Sequence, residues 1–176
     1  MKYGEFMSYQ HRKLALLLGM LLPSLVLALP EDKDQPIHLE AKSAQFDQNT
    51  GISTYTGNVV VTQGTMRLTA DVAKIYIQNG AFQRMEASGA PTTFRYQPQA
   101  DKEVINGEGL RIEYNVATDK VYVIDKAKFT QGGDVFTGDR VEYDLSTDLI
   151  NASSVEGGRI KITIQPRPNQ IRPKKN

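Results

Sequence analysis

The residue types that carry most enzyme chemistry are scarce in this sequence. It contains no cysteine and no tryptophan, and one of its two histidines lies within the first 28 residues. The other, His38, stands between Ile37 and Leu39, where an outward-facing polar residue on a first strand explains it better than a Ser–His–Asp arrangement does. A zinc site needs several His or Cys ligands, and the chain does not supply them. Nucleophilic and zinc-dependent catalysis are therefore not expected.

Carboxylates are plentiful, and a catalytic pair of the kind used in glycoside hydrolysis is the one enzymatic arrangement left open. Most of them either stand in turns or alternate with apolar residues along strands, as Glu113, Glu142 and Asp144 do. The solvated outer face of a sheet accounts for that pattern. We expect no enzyme activity, no cofactor and no metal.

The chain is organised around a hairpin at residues 57–71. Val59, Val60 and Val61 are β-branched and favour a half-buried strand. Gly64 then allows a turn, because glycine reaches positive φ without a Cβ clash. After the turn, apolar and polar residues alternate, which is the pattern of a strand with one buried and one solvent-exposed face.

The same pattern returns 68 positions later. Residues 61–64 have their counterpart at 129–132, and at this offset Phe46 meets Tyr114 and Asp71 meets Asp139. The alternative is that β-rich sequences resemble each other by chance. A constant offset predicts instead a stack of similar hairpins, each unable to bury its apolar face alone.

The prolines and the periodicity indicate an all-β protein. No window after residue 28 has a helical period, and residues 37–90 and 99–165 contain no proline, which suits long paired strands because proline cannot donate to a ladder. We predict about a dozen or more antiparallel strands. Turns or loops are expected at 79–80, 88–91, 97–103, 131–134 and 153–158.

The two ends of the chain differ from its middle. Residues 1–28 read as a secretory signal peptide cleaved near Ala28, because the apolar stretch at 14–29 falls short of the roughly 20 residues that span a bilayer. A permanent membrane anchor is the alternative. Residues 165–176 are rich in proline and basic side chains and should form a disordered basic tail. One domain, at 29–164, remains.

Without the signal, 18 basic residues face 19 acidic ones, since the signal removes three basic residues and one acidic residue. Nucleic acid needs a concentrated basic surface, so it is not an expected partner. An exported chain without cysteine must hold together by packing and ladder hydrogen bonds.

The first and last strands, at 37–40 and 159–164, contain no proline and no glycine. If they form the two exposed edges, the protein can add to itself head to tail by strand pairing. The alternative is that leader and tail fold back to cap these edges. The expected interface residues are Ile37, His38, Leu39, Ile160, Ile162 and Ile164.

Three strings resemble the OstA-like repeat family: AKSAQFD at 41–47, TGNVVVTQG at 56–64 and LTAD at 68–71. The opening DQPIHLE at 34–40 and GAPTTF at 89–94 favour its periplasmic lipopolysaccharide-transport members over the membrane-anchored relatives. The resemblance covers nearly the whole chain after the signal.

That resemblance implies an open twisted β-jellyroll with an apolar groove between its sheets, located in the periplasm. It implies that such proteins join end to end, and join related jellyroll domains of the inner- and outer-membrane transport components. Lipopolysaccharide passes along this bridge from inner to outer membrane, with the acyl chains of its lipid A in the groove. Ile37, Leu39 and Phe94 match groove-lining positions of the family.

A groove of uniform apolar character would let a lipid slide between near-equivalent sites, since each buried methylene is worth about 0.8 kcal/mol. The lipid-binding candidates are Ile37, Leu39, Phe46, Leu68, Phe94, Ile112 and Tyr114. Further groove candidates are Met66, Ile75, Val121, Val123, Val141 and Tyr143. Core packing is the alternative role for these six and also for Leu68, Phe94, Ile112 and Tyr114. The alternative to the whole interpretation is a self-assembling exported β-scaffold without a lipid ligand.

Overall fold

The computed structural model describes Asp32 and residues 35–166. The predicted signal peptide, its cleavage site and residues 167–176 of the predicted tail lie outside the described residues. In the part that is described, no helix is long and apolar enough to cross a membrane.

Ten antiparallel strands form one open sheet in the described chain. They are β1 (His38–Glu40), β2 (Ser43–Asp47), β3 (Ile52–Gln63), β4 (Met66–Gln78), β5 (Ala81–Tyr96), β6 (Ile105–Asn115), β7 (Lys120–Gln131), β8 (Asp134–Asp144), β9 (Leu149–Ser153) and β10 (Lys161–Thr163). The predicted all-β, open antiparallel fold is confirmed. The strands number ten rather than a dozen because most hairpin arms run for 11–16 residues without interruption.

The strand order is β1-β3-β4-β5-β6-β7-β8-β10, with β2 also paired to β3 and β9 also paired to β8. Consecutive hairpins therefore fill the middle of the sheet. The first and last strands, β1 and β10, lie at its two opposite edges and are not paired with each other.

A line of bulges crosses the sheet and bends the six long strands. The register shifts lie at Thr56/Val59 between β3 and β4, and at Ile124/Ala127 between β7 and β8, and each intervening strand pair has one at the same level. The β4–β5 pair has a second shift, at Tyr76/Ile77. Bulges increase local twist and bend a strand. The bend divides the sheet into a first layer, containing β1 and β10, and a second layer, containing β2 and β9.

The two layers face each other across the core. The rings of Phe129 and Tyr143 have centroids 5.3 Å apart. Tyr143 of β8 pairs directly with Val121 of β7. Val121 precedes Phe129 by eight residues on β7, and in a straight strand the two would lie about 26 Å apart. Only a folded-over sheet brings these rings together, which is the jellyroll architecture expected.

The predicted repeat is present in the backbone. In β3 the bulge places Gly57 and Asn58 consecutively at positive φ, of 87° and 49°. In β7, 68 residues later, Asp125 and Lys126 do the same, at 60° and 57°. Two successive residues of positive φ are rare for non-glycine positions. Their recurrence at the offset makes chance similarity untenable.

Hydrogen bonds at the turns repeat at the same offset. Ile77 N donates to Gly51 O at 2.8 Å, and Leu145 N donates to Asp119 O at 3.0 Å. The turn at Gly64 has its equivalent at residue 132, both with φ of 56°. The chain thus contains two copies of one pattern.

The turn predicted at 88–91 is wrong. β5 continues through it as a bulge, where the register shifts between Ser88 and Thr92 and the Ala90–Pro91 peptide is cis. Gly89 belongs here for a packing reason, because a Cβ on it would lie 3.0 Å from the backbone nitrogen of Asp71. The turn residues Ser, Gly and Pro therefore mark a bend within a strand rather than its end. The predicted turns at 79–80 and 131–134 and the loop at 97–103 are confirmed.

Candidate functional site

An apolar cavity with a volume of about 40 Å³ lies between the two layers and opens to solvent. It is lined by Ile37, Val61, Gln63, Met66, Arg67, Leu68, Ile75, Phe82, Met85, Phe94, Ile112, Tyr114 and Val121. Ile37, next to the edge strand β1, is 40% exposed, so the cavity reaches the edge of the sheet.

Strand register explains why these side chains meet. In the first layer, Val61, Leu68 and Phe94 are direct cross-strand neighbours on β3, β4 and β5. They point to the inner face because side chains alternate along a strand and directly paired residues share a face. Their burial, at 3–7% exposed, matches that orientation.

The second layer supplies the opposite wall. Ile75, Met85, Tyr114 and Val121 are likewise direct neighbours across β4 to β7. The rings of Phe82 and Tyr114 lie 6.0 Å apart and add an aromatic section to this wall. Each wall is thus one transverse row of inward side chains.

The hydroxyl of Tyr114 is directed out of the apolar space. It donates to Asp119 Oδ1 at 3.1 Å. Burial, followed by the charge and hydrogen bond of Asp119, raises the pKa of Tyr114 above its ordinary value of 10. The tyrosine therefore stays neutral, and its ring lines the cavity as a hydrocarbon surface.

Side chains fill the space between the layers in the second copy of the pattern, whereas the first copy has the cavity there. Val61 and Ile75 line the cavity, and 68 residues later their places are taken by Phe129 and Tyr143, both fully buried. We call this pair the aromatic plug. Because the larger rings fill the space that the aliphatic pair leaves, the cavity is confined to the first copy and its junction with the second.

The structure brings most predicted lipid-binding residues to one place. Ile37, Leu68, Phe94, Ile112 and Tyr114 all line the cavity. Of the further candidates, Met66, Ile75 and Val121 also line it, whereas Val123, Val141 and Tyr143 are fully buried in the core.

Two predicted lipid-binding residues are placed elsewhere. Leu39 is half-buried and packs against the core through its strand partner Val61, but it does not line the cavity. Phe46 lies on the edge strand β2 and is 66% exposed, and its ring packs edge-on against that of Tyr55 with the centroids 5.9 Å apart. Both are edge positions, where no second strand among residues 35–166 completes the wall.

Five lining residues were not predicted from the sequence, namely Val61, Phe82 and Met85 in the apolar wall and Gln63 and Arg67 at its polar margin. Phe82 was hidden by a register shift, because Ile77 pairs with Phe82 but Tyr76 pairs with Arg84. Strict two-residue alternation therefore assigns the wrong face. The Val61 position could have been found from the repeat, as the partner of Phe129.

The predicted interface residues occupy the two edges. Ile160, Ile162 and Ile164 are 44%, 47% and 71% exposed. On the other edge Ile37 and His38 are exposed and Leu39 is half-buried.

The outer face carries the carboxylates that sequence analysis considered for catalysis. Lys120 Nζ lies 2.6 Å from Glu142 Oε1, and Arg111 Nε lies 3.4 Å from Glu113 Oε1. The residues described contain no group of three or more His, Cys, Asp or Glu side chains placed to hold a metal ion. Ion pairing on a solvated face accounts for these acidic residues.

This chain is similar in sequence and in fold to known lipopolysaccharide-transport proteins. Residues 38–149 match the family model described as "LptA/(LptD N-terminal domain) LPS transport protein". The lipopolysaccharide export system protein LptH of Pseudomonas aeruginosa is 37% identical over 156 residues, covering 86% of this chain and 87% of that protein. The lipopolysaccharide export system protein LptA of Escherichia coli K12 is 30% identical over 177 residues, covering 97% and 94%.

The fold is also that of a solved relative. The crystal structure of LptH from P. aeruginosa, the LptA homologous periplasmic component of the lipopolysaccharide transport device, matches with a TM-score of 0.72 and 35% identity. The match covers 78% of this chain and all of that one. The expected OstA-like resemblance is confirmed, and the chain belongs to the LptA/(LptD N-terminal domain) family of LPS transport proteins.

Proposed function

We propose that this protein is a periplasmic component of lipopolysaccharide export, which carries lipopolysaccharide from the inner to the outer membrane with its acyl chains in the apolar groove. The observation that carries the proposal is the cavity between the two layers, whose two walls are rows of aliphatic and aromatic side chains. The names of the relatives support the same function.

The cavity favours hydrocarbon for a physical reason. Each methylene that leaves water contributes about 0.8 kcal/mol, so an acyl chain is held by contact area rather than by directed polar groups. Within the described residues, no buried side-chain nitrogen or oxygen lacks a hydrogen-bond partner, so the site offers a lipid no unsatisfied polar group to satisfy. Transfer of this kind needs no covalent step, which is why we propose a non-enzymatic carrier.

The remaining assignments follow from this role. Residues 1–28 act as a signal peptide removed near Ala28, residues 29–164 form the carrier domain, and residues 165–176 form a basic tail. Export to the periplasm gives the domain access to both membranes. Its partners are lipopolysaccharide, further copies of itself joined head to tail through β1 and β10, and related jellyroll domains of the membrane-bound transport components, with no role for nucleic acid.

Photo-cross-linking to lipopolysaccharide tests the groove. A benzophenone amino acid replaces Phe82, a half-buried aromatic residue of the cavity wall. The matched control replaces Tyr76, an aromatic residue of the same hairpin whose hydroxyl donates to Glu86 at 2.8 Å and whose ring lies beneath Arg84. We expect a lipopolysaccharide adduct from position 82 and none from position 76.

Other outcomes would change the assignment. Adducts from neither position, in samples with an unchanged β-sheet circular dichroism spectrum, would favour the exported scaffold without lipid ligand. Equal adducts from both positions would mean that lipid coats the protein without entering the groove, and would contradict the proposal.

A further inference from the structure

A polar pocket lies on the outer face of the first layer, on the opposite side of the sheet from the apolar cavity. Its volume is about 380 Å³, and it is open to solvent. Phe94 and Gly107 are direct neighbours in the row of residues whose side-chain positions face inward, so they contribute backbone to the floor of this outer pocket. A single sheet therefore separates the pocket from the space where acyl chains are proposed to lie.

Two rows of outward side chains form the walls of the outer pocket. The residues of each row are direct neighbours across β4, β5, β6 and β7. One row consists of Arg67, Arg95, Asn106 and Thr130. The other row consists of Thr69, Thr93, Glu108 and Lys128. The pocket thus combines basic groups with hydroxyl, amide and carboxylate groups.

The positive charge of the pocket is concentrated at two arginines. Arg67 and Arg95 face each other directly across β4 and β5, and both are exposed. Like charges in this position destabilise a strand pair. Within the described residues, neither guanidinium has a salt bridge or a hydrogen bond. Lys128 differs, because Glu108 faces it across β6 and β7 and offsets its charge.

The same strands arrange their charges differently in the second layer. There Lys74 faces Glu86 directly, and Arg84 forms a salt bridge with the same carboxylate. On β6, Arg111 Nε lies 3.4 Å from Glu113 Oε1. Each of these basic side chains has an acidic neighbour, so the arginine pair of the first layer is an exception on its own strands.

The repeat shows that the fold does not require this arginine pair. At the offset of 68, Arg67 and Arg95 correspond to Val135 and Thr163, which face each other in the pairing of β8 with β10. The equivalent position in the second copy therefore holds an uncharged pair. An anion bound between the guanidiniums would remove the repulsion that the strand pairing itself leaves in place.

We propose that the outer pocket binds a phosphorylated saccharide, with its phosphate between Arg67 and Arg95. A guanidinium is planar and donates paired hydrogen bonds to phosphate oxygens. The hydroxyls of Thr69 and Thr93 lie 2.6 Å apart and share one hydrogen bond, which leaves the pair able to donate and accept further bonds from sugar hydroxyls. The amide of Asn106 adds a donor and an acceptor.

The size of the pocket suits such a ligand. A volume of about 380 Å³ falls within the roughly 300–1,000 Å³ typical of small-molecule sites. The ligand is either a free sugar phosphate or the phosphorylated headgroup of a lipopolysaccharide molecule other than the one in the groove, since the groove lies behind the sheet. The proposal goes beyond the carrier function and concerns a second site.

Saturation-transfer difference NMR with glucose 6-phosphate measures binding to the pocket. The test variant is Arg95→Thr, which introduces the residue that the second copy has at this place. The matched control is Arg84→Thr, the same change at an exposed arginine of the same strand. We expect Arg95→Thr to raise the Kd by about tenfold, because it removes charged hydrogen bonds to phosphate, and Arg84→Thr to change it by less than about twofold.

Thermal unfolding without ligand separates a binding role from a structural one. Arg95→Thr should unfold at the same Tm as the unmodified protein or at a higher one, because it removes the repulsion between Arg67 and Arg95. A lower Tm for this variant would mean that the arginine stabilises the sheet, and would contradict the proposal.

Two binding results would also overturn it. Inorganic phosphate that binds as tightly as glucose 6-phosphate would show that the pocket does not recognise the sugar. Equal weakening in Arg84→Thr and Arg95→Thr would show that the ligand adsorbs to positive charge in general.

Competition with the deacylated, still phosphorylated saccharide of lipopolysaccharide identifies the source of the ligand. Displacement of glucose 6-phosphate by this saccharide would assign the pocket to a lipopolysaccharide headgroup, and binding of glucose 6-phosphate without displacement would assign it to a free sugar phosphate. Lipid capture from position 82 should be unchanged in Arg95→Thr, so a failure of the groove and a failure of the outer pocket are distinguishable.

Discussion

Replacing a ring of the aromatic plug tests whether Phe129 and Tyr143 are what fills the space between the layers in the second copy of the pattern. Phe129 is fully buried, and its ring contacts those of Tyr143 at 5.3 Å and Phe136 at 6.4 Å. We consider Phe129→Val, which introduces the residue that the first copy has at this place, Val61. The change should open a space beside Tyr143, which is the strand partner of the cavity-lining residue Val121.

The structure sets the size of the effect. Truncating a buried phenylalanine to alanine costs about 3–5 kcal/mol, and valine keeps part of the contact, so we expect the free energy of unfolding to fall by about 2–3 kcal/mol. For a domain of this length that is a loss of roughly 10 °C in Tm. Two or three methylene groups of a lipid entering the space would recover about 2 kcal/mol.

Thermal unfolding followed by circular dichroism, with and without lipopolysaccharide, measures both quantities. The expected result is a lower Tm for the variant alone and a larger increase in its Tm on addition of lipid than the unmodified protein shows, because a ligand stabilises the state that it binds. The control is Phe46→Val, the same substitution at an exposed side chain, which should change the Tm of the monomer by about 2 °C or less.

Two results would refute this reasoning. A change in Tm as small as that of the Phe46 control would mean that Phe129 does not fill the space between the layers. An equal increase on addition of lipid in both proteins would mean that the new space is not continuous with the groove.

Three further effects follow from the hydrogen bonds and the backbone. Tyr143→Phe removes the hydroxyl that donates to Asp148 Oδ1 at 2.5 Å, and should lower the free energy of unfolding in urea by about 1–2 kcal/mol. Burial raises the pKa of both Tyr143 and Tyr114 above 10. Their contribution to the free energy of unfolding is therefore present below about pH 10 and is lost as the pH rises beyond it. We expect Tyr143→Phe to lose less stability above about pH 10 than the unmodified protein does. Gly109→Ala should lower the yield of folded protein, because its Cβ would lie 2.9 Å from Ile124 O, and a normal Tm would contradict this.

The repeat is the part of the structure that could be predicted in most detail from the sequence. Residues 61–64 and 129–132 reveal an offset of 68 positions. The same offset relates the strand registers and the paired positive-φ residues of the bulges. The two bulge pairs, Gly57-Asn58 and Asp125-Lys126, nevertheless have no residue type in common. A backbone geometry can be kept by different residues when Gly, Asn and Asp all tolerate the left-handed region. Lys126 gives no such signal, and the bulge in β7 could not be predicted from it.

The sequence predicted which interior residues face the space between the layers, and it gave less information on the residues at the edges of the sheet. Leu68, Phe94 and Ile112 have strands on both sides, so alternation alone assigns them to the inner face. Leu39 and Phe46 have the same alternation, but each lies on an edge strand, and no further strand of the described residues covers it. Periodicity reports which face a residue occupies and carries no information on whether a second strand covers it.

The position of the edges follows from where the repeat begins and ends. In the described chain the pattern begins with β1 and β2, the equivalents of β6, and ends with β9 and β10, the equivalents of β5. In the described residues, the two edge strands β1 and β10 are thus equivalents of β6 and β5, which pair with each other inside the sheet. A soluble protein normally protects such edges with charge, proline or a covering loop. Here the apolar residues Ile160, Ile162 and Ile164 remain exposed, which is the arrangement expected if the next copy restores the period and extends the inner face from one molecule to the next.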